Sequence, residues 1–262
     1  MRIHLIELRR NMENIIFEST QDLLESLANE LQILSLKKQK SHISLSGGST
    51  PNLLFDYLAT SNYANIINWQ QLHFWWGDER CVPAKDPESN YGQCKQRLFD
   101  HIQIPVSNIH RIQGENLPTE ETKRYTQEIQ NHLVIVDNIP QFDWIILGVG
   151  EDGHTASIFP KSSKDTKNSN KHCLYKNKEL IFIATHPQTK QLRISKTAYL
   201  IEHCKRLTYL VIGKNKADIV DKISSQIDSK IEATKCYPAA RITSNNGITE
   251  FYLDSKAAKK LM

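Results

Sequence analysis

Short apolar runs punctuate this chain, and most of them end in glycine, hydroxyl or charged residues. Runs at 42–46, 72–76, 143–148, 180–185 and 207–212, with an early one at 2–8 and a late one at 249–253, have the length and composition of buried strands. Between the first two strands, Leu23, Leu24, Leu27, Ala28, Leu31 and Leu34 recur on one helical face, and Ser19 or Thr20 is placed to cap that helix. Further helices are expected near 51–60, 88–101, 119–134, 214–226 and 255–261. Strand–helix alternation of this kind predicts an α/β fold: a mostly parallel, Rossmann-like sheet forming the middle of three layers, with helices on both faces. No internal repeat or composition shift marks a boundary, so residues 1–262 are expected to form a single domain.

In a parallel sheet the polar strand ends gather along one edge, where α/β proteins place their chemistry. The run Trp144–Leu147 leads into Gly148-Val149-Gly150-Glu151-Asp152-Gly153-His154-Thr155-Ala156-Ser157-Ile158-Phe159-Pro160. A titratable imidazole, His154, thus stands beside the carboxylate of Asp152 just past a buried strand. The glycine spacing also fits a dinucleotide-binding turn. However, Glu151 and Asp152 would set negative charge against a pyrophosphate, and the next strand-like run ends in Thr185-His186 rather than an acid. No nicotinamide cofactor is expected.

Two more strand ends carry chemistry. Ser44–Ser46 runs into Gly47, Gly48, Ser49, Thr50 and Pro51, with Thr50 suited to an N-cap and Pro51 to the first helical position. Bare backbone at a helix N-terminus suits a phosphate monoester, and the lysine of a P-loop is missing. The aromatic run Phe74–Trp76 leads through Gly77 into Asp78-Glu79-Arg80-Cys81-Val82-Pro83, with Ser89-Asn90-Tyr91 downstream. Taken singly, these segments also fit an ordinary turn or a solvated ion pair; three parallel strands ending this way make one crevice. Arg193 and Lys214, the latter just after strand 207–212, are further cations suited to a phosphate dianion.

Composition narrows the class. The 262 residues include 33 basic and 29 acidic side chains, a net charge of +4, which is mild and fits an anionic small substrate better than a nucleic-acid surface. No apolar run approaches the length of a membrane span, and the start lacks a signal-peptide core, so a cytoplasmic location is expected. The 5 cysteines are scattered without metal-ligand spacing and read as free thiols, with no metal site expected. No GxSxG nucleophile elbow occurs. His4, His42, His73, His101, His110, His132, His172 and His203 lack an acidic, glycine-rich context and read as core or surface residues. The lysine-rich stretch 161–178 reads as a solvated, mobile surface loop, with a basic flap beside the site as the alternative.

In order and separation, Ser46–Pro51, Asp78–Pro83 with Ser89-Asn90, and Gly148–Pro160 resemble the motifs of the 6-phosphogluconolactonase family. Arg193-Ile194, Gly213-Lys214 and Tyr237-Pro238-Ala239 are similar to it too, so the resemblance spans nearly the whole chain. It implies hydrolysis of 6-phospho-D-glucono-1,5-lactone to 6-phosphogluconate, without cofactor, metal, nucleic acid or membrane partner. It assigns His154 as general base and Asp152 to the imidazole. Arg80 falls to substrate oxygens or the oxyanion, and Asp78 to Arg80 or a sugar hydroxyl. Gly47, Gly48, Ser49, Thr50, Arg193 and Lys214 fall to the phosphate. The related glucosamine-6-phosphate deaminases are the rival, but their pattern has a glutamate five residues after the histidine, where this chain has Phe159, and no arginine like Arg80. A non-enzymatic sugar-phosphate sensor would lose the Asp152–His154 pair. Monomer and dimer both remain open.

Overall fold

The computed structural model describes residues 3–8, 12–160, 178–228 and 236–262. The chain opens with strands β1 (Ile3–Leu8) and β2 (Met12–Phe17), then helix α1 (Thr20–Ser35). Ser19 caps α1, its Oγ accepting from the Asp22 N–H at 3.1 Å, and the predicted stripe buries Leu23, Leu24, Leu27, Ala28 and Leu31. Next come β3 (Ser41–Leu45), α2 (Ser49–Leu58), α3 (Ser61–Ile66), β4 (Leu72–Trp76), β5 (Asp78–Arg80), α4 (Asn90–Arg97), β6 (Ile109–His110) and α5 (Pro118–His132). A small β7 (Ile135–Val136) and β8 (Ile139–Pro140) hairpin precedes β9 (Trp144–Gly148). The rest is β10 (Ile181–Thr185), β11 (Leu192–Lys196), α6 (Ala198–Ile201), β12 (Arg206–Val211), α7 (Ala217–Asp228), α8 (Pro238–Arg241) and β13 (Ile248–Asp254).

Eight strands form the central sheet in the order β1-β2-β13-β12-β9-β3-β4-β6. Seven are parallel, and β1 pairs antiparallel with β2. From β3 the chain builds outward through β4 and β6; from β9 it builds the other way through β12 and β13. The topological switch point therefore lies between β3 and β9, and a crevice opens at their carboxyl ends. The two motif-bearing loops leave from just these strands.

The structure corrects several expectations. Strand 180–185 forms, but in a separate antiparallel sheet, β10-β11-β5. The expected 2–8 strand is one arm of a hairpin whose second arm, β2, the pattern did not disclose. Residues 255–261 form turns, not a helix. Helix α2 begins at Ser49 with Gly48 as N-cap at φ 107°, so Thr50 is inside the first turn and Pro51 is its third residue. Residues 161–177, and with them most of the expected 161–178 loop, lie outside the described residues. Among those described, no helix is long and apolar enough to cross a membrane.

Two buried polar clusters sit in the central sheet, one near the carboxyl ends of β3 and β4 and one near their amino ends. Lys196 is fully buried, and its Nζ donates to Ser44 Oγ at 2.9 Å and to the Trp76 carbonyl. It lies over the rings of Phe142 and Tyr125 at 4.5 and 5.4 Å. Its backbone N–H bonds Gly77 O at 2.8 Å, so this one residue holds the step where β4 hands over to β5. Burial drives its amine well below the ordinary lysine value, although Asp78 opposes this.

The second cluster gathers histidines from adjacent strands, His42 and His73 in register on β3 and β4, with His110 on β6. His73 Nδ1 meets His110 Nε2 at 2.9 Å, and His110 Nδ1 meets Glu128 of α5 at 2.8 Å. Trp75 Nε1–H donates to His42 Nδ1 at 3.1 Å, and the Trp75 ring stacks on His110 at 3.9 Å.

Candidate functional site

A cavity of about 190 Å³, open to solvent, sits at the switch point. The β3–α2 turn supplies Ser46 through Pro51; β5 and α4 supply Asp78, Arg80 and Asn90. The loop after β9 supplies Gly148–Gly150, His154 and Ala156, and Arg193 and Lys216 complete the wall.

His154 is held by its own loop. Its Nδ1 lies 2.5 Å from Asp152 Oδ1, which also accepts the His154 backbone N–H at 3.2 Å. An ionised Asp152 can only accept, so the ring proton sits on Nδ1 and the Nε2 lone pair is free. Burial pushes the Asp152 carboxyl up, but the hydrogen bonds it accepts from His154 oppose this, and the group is held below its ordinary value. Gly150 is required here by close approach: a Cβ would fall 2.2 Å from His154 Nδ1. Phe159 packs beside the imidazole at 5.0 Å between centroids, and His186 packs on Phe159 at 5.2 Å. The Ala239 N–H bonds Gly153 O at 3.2 Å, so the Tyr237-Pro238-Ala239 segment buttresses the histidine turn.

Opposite His154 the cavity is cationic. Arg80 and Arg193 face each other across the β5–β11 pair, and Ser195 faces Asp78. Like charges placed opposite one another are unfavourable unless an anion joins them. The buried Nε atoms of both arginines lack a hydrogen-bond partner among the described residues. Arg80 Nη1 donates to the Glu88 carbonyl, and Arg193 Nη1 lies 3.9 Å from Asp78 Oδ2. Burial pulls the Arg193 guanidinium down; Asp78 opposes this and Arg80 adds to it. Asp78 is only 5% exposed and accepts from Ser157 Oγ at 2.6 Å. At the third side, α2 presents its N-terminus with no side chain capping it, which leaves backbone N–H groups for an anion.

The structure thus brings His154, Asp152, Asp78, Arg80, Gly47, Gly48, Ser49, Thr50 and Arg193 to one cleft. Lys214 is not brought there: it is exposed, and the half-buried Lys216 lines the cavity instead. Gly213, at φ 101°, starts a 3₁₀ turn that swings the third residue, not the first, back toward the crevice. Burial lowers the Lys216 amine, with Glu151 and Asp152 opposing. Sequence reasoning also missed Ser157, Asn90 and Glu79 as supporting groups. Glu79 is 1% exposed and accepts from the N–H groups of Arg80, Asn90 and Tyr91, each at 2.8 Å. Burial pushes its carboxyl up to about 7 against those bonds. The only sequence signal for them was that Glu79 and Ser89-Asn90 stood in the same motifs as Asp78 and Arg80.

Comparison with known proteins matches residues 17–251 to the family described as glucosamine-6-phosphate isomerases/6-phosphogluconolactonase. The 6-phosphogluconolactonase of Aggregatibacter actinomycetemcomitans is 51% identical over 250 residues, 95% of this chain and 100% of that protein. That of Haemophilus influenzae is 51% identical over 251 residues, 96% and 100% of the two chains. Among solved structures, the devB protein superposes with a TM-score of 0.87 at 46% identity, covering 96% of this chain and 100% of its own. A monomeric glucosamine-6-phosphate deaminase shares the fold, at TM-score 0.73 and 18% identity, covering 94% and 98%. The chain belongs to the glucosamine-6-phosphate isomerase/6-phosphogluconolactonase family.

Proposed function

We propose that this protein hydrolyses 6-phospho-D-glucono-1,5-lactone to 6-phosphogluconate, a step of the oxidative pentose phosphate pathway. The observation that carries the reading is the pairing of a free imidazole nitrogen, oriented by Asp152, with a cationic wall across the same cavity. The phosphate sits at the α2 N-terminus, held by the Gly47–Thr50 backbone and hydroxyls with Arg193 and Lys216. That grip leaves the lactone carbonyl near His154 and Arg80.

Water attacks the carbonyl carbon while His154 Nε2 takes its proton, which forms a tetrahedral oxyanion and an imidazolium paired with Asp152. Arg80 stabilises the oxyanion, and the anionic Asp78 keeps Arg193 in place and meets a sugar hydroxyl. Collapse breaks the ring carbon–oxygen bond, and the imidazolium returns its proton to the leaving alkoxide. The phenyl ring of Phe159 can neither orient an imidazole by hydrogen bonding nor exchange a proton, which counts against the deaminase reaction.

The test is a coupled assay on freshly generated 6-phosphogluconolactone with spontaneous hydrolysis subtracted, alongside ammonia release from glucosamine 6-phosphate. Rapid lactone hydrolysis with no ammonia supports the reading. Ammonia release without lactonase activity would overturn it.

A further inference from the structure

The phosphate grip and the reacting end of the cavity stand on different strands. Pairing between β3 and β4 runs to Leu45 and Trp76, followed by a bond from the Gly77 N–H to the Leu45 carbonyl at 2.8 Å. Past that point β5 leaves the central sheet, while Gly47 and Gly48 turn toward α2. The side chain of Asn90, the first residue of α4, stands between the two diverging segments.

Asn90 is 1% exposed. Its Nδ2 donates to the Asp78 carbonyl at 2.9 Å and reaches Asp78 Oδ1 at 3.5 Å, which fixes the amide with its donor toward β5. The Oδ1 therefore points the other way, has no hydrogen-bond partner among the described residues and lies against Gly47. The approach is so close that a Cβ on Gly47 would fall 1.8 Å from Oδ1. The backbone of Asn90 is equally fixed: its N–H and that of Tyr91 bond the buried Glu79 carboxylate, which also takes the Arg80 N–H and the Ser89 hydroxyl at 3.1 Å. One anchored amide is thus wedged between the phosphate turn and the segment carrying Asp78 and Arg80.

We propose that Asn90 is a positioning residue that couples the phosphate turn to the Asp78–Arg80 segment, with Glu79 as its anchor. Binding energy from a remote group speeds a reaction only when it is rigidly connected to the reacting centre. Asn90 supplies that connection here. Without it the phosphate still binds, but the lactone carbon is no longer held in register with Arg80 and His154. The inference rests on the lactonase reading above.

The experiment compares wild type, Asn90→Ala and Asn90→Ser on 6-phosphogluconolactone and on unphosphorylated glucono-1,5-lactone, with circular dichroism and melting curves for each. Asn90→Ser keeps a small polar side chain that suits a helix N-terminus and sets no charge beside Asp78, so it guards against a variant that fails to fold. Both variants are expected to lower the preference for the phosphorylated substrate, as the ratio of kcat/KM values, by about 10- to 100-fold. The loss falls on kcat for the phosphorylated lactone more than on its KM. A folded variant that loses both activities in equal proportion, or keeps the wild-type preference, overturns the coupling role. A wild-type protein that hydrolyses neither lactone overturns the lactonase reading and this inference with it.

Discussion

The histidine cluster at the amino ends of β3 and β4 makes the fold acid-sensitive. His42 Nδ1 accepts from the Trp75 N–H, and His73 is 6% exposed with a buried Nε2 that has no partner among the described residues. To gain a proton, His42 must break a hydrogen bond or expose its ring, and His73 must place a charge in a dry pocket among other imidazoles. Burial, opposed by Asp143 but reinforced by His110, His132 and Lys40, lowers His42 to about 4. Burial, with His42, His110, Lys40 and His132 acting the same way, lowers His73 to about 3.

Both folded-state values lie below the unfolded value near 6.5, so the unfolded chain binds more protons in between. Stability from these two sites is complete above about pH 6.5 and is lost as pH falls toward 4 and 3. At pH 5 each site has forfeited about 2 kcal/mol, and the pair about 4 kcal/mol, a large share of a typical domain's margin. Urea unfolding at pH 7.5 and pH 5 measures this directly. Substituting His42→Gln and His73→Asn together removes both titrations, so the double variant should lose about 4 kcal/mol less than wild type between the two pH values, whatever its absolute stability. Equal losses in the two proteins would refute the assignment.

Other outcomes follow from the same geometry. Arg193→Ala and Lys216→Ala should each lower kcat/KM for the phosphorylated lactone by roughly 10- to 150-fold, since each removes a charge-assisted contact, while Lys214→Ala stays near wild type. Steady-state kinetics showing the reverse order for the two lysines would remove Lys216 from the phosphate grip. Asp152→Asn should depress kcat by about 10²-fold or more with little change in KM, because an amide no longer fixes the base's tautomer. A raised KM at unchanged kcat would instead make Asp152 a binding residue. Lys196→Met should raise stability by about 1 kcal/mol or more, as an amine buried without a carboxylate in contact gives way to an apolar chain. A lower midpoint in urea would show that the bonds to Ser44 and Trp76 outweigh that burial cost.

What the sequence disclosed, and what it hid, divides along physical lines. Buried parallel strands such as Trp144–Gly148 are apolar throughout and short, so β3, β4, β9 and β12 were legible, and their polar ends located the crevice. Strand β11 was hidden because Arg193 and Lys196 interrupt its apolar pattern, although Lys196 proves fully buried. Placing β10 in the main sheet failed because pairing partners are set by tertiary contacts that a local pattern does not encode. Within the site, residues adjacent to a glycine turn were legible by type and position. Lys214 was preferred to Lys216 because the 3₁₀ turn after Gly213 rotates the chain by an amount that spacing alone does not reveal. Ser157 and Asn90 act across 79 and 12 positions of chain through Asp78, a relation visible only once the loops are folded together.

The account stands on His154 as the group that activates water within reach of a gripped phosphate. The most direct measurement is the turnover of His154→Gln on 6-phosphogluconolactone, with folding checked by circular dichroism and KM determined separately. Loss of about 10²- to 10⁴-fold in kcat at a near-native KM is the predicted result. Turnover close to wild type would contradict it.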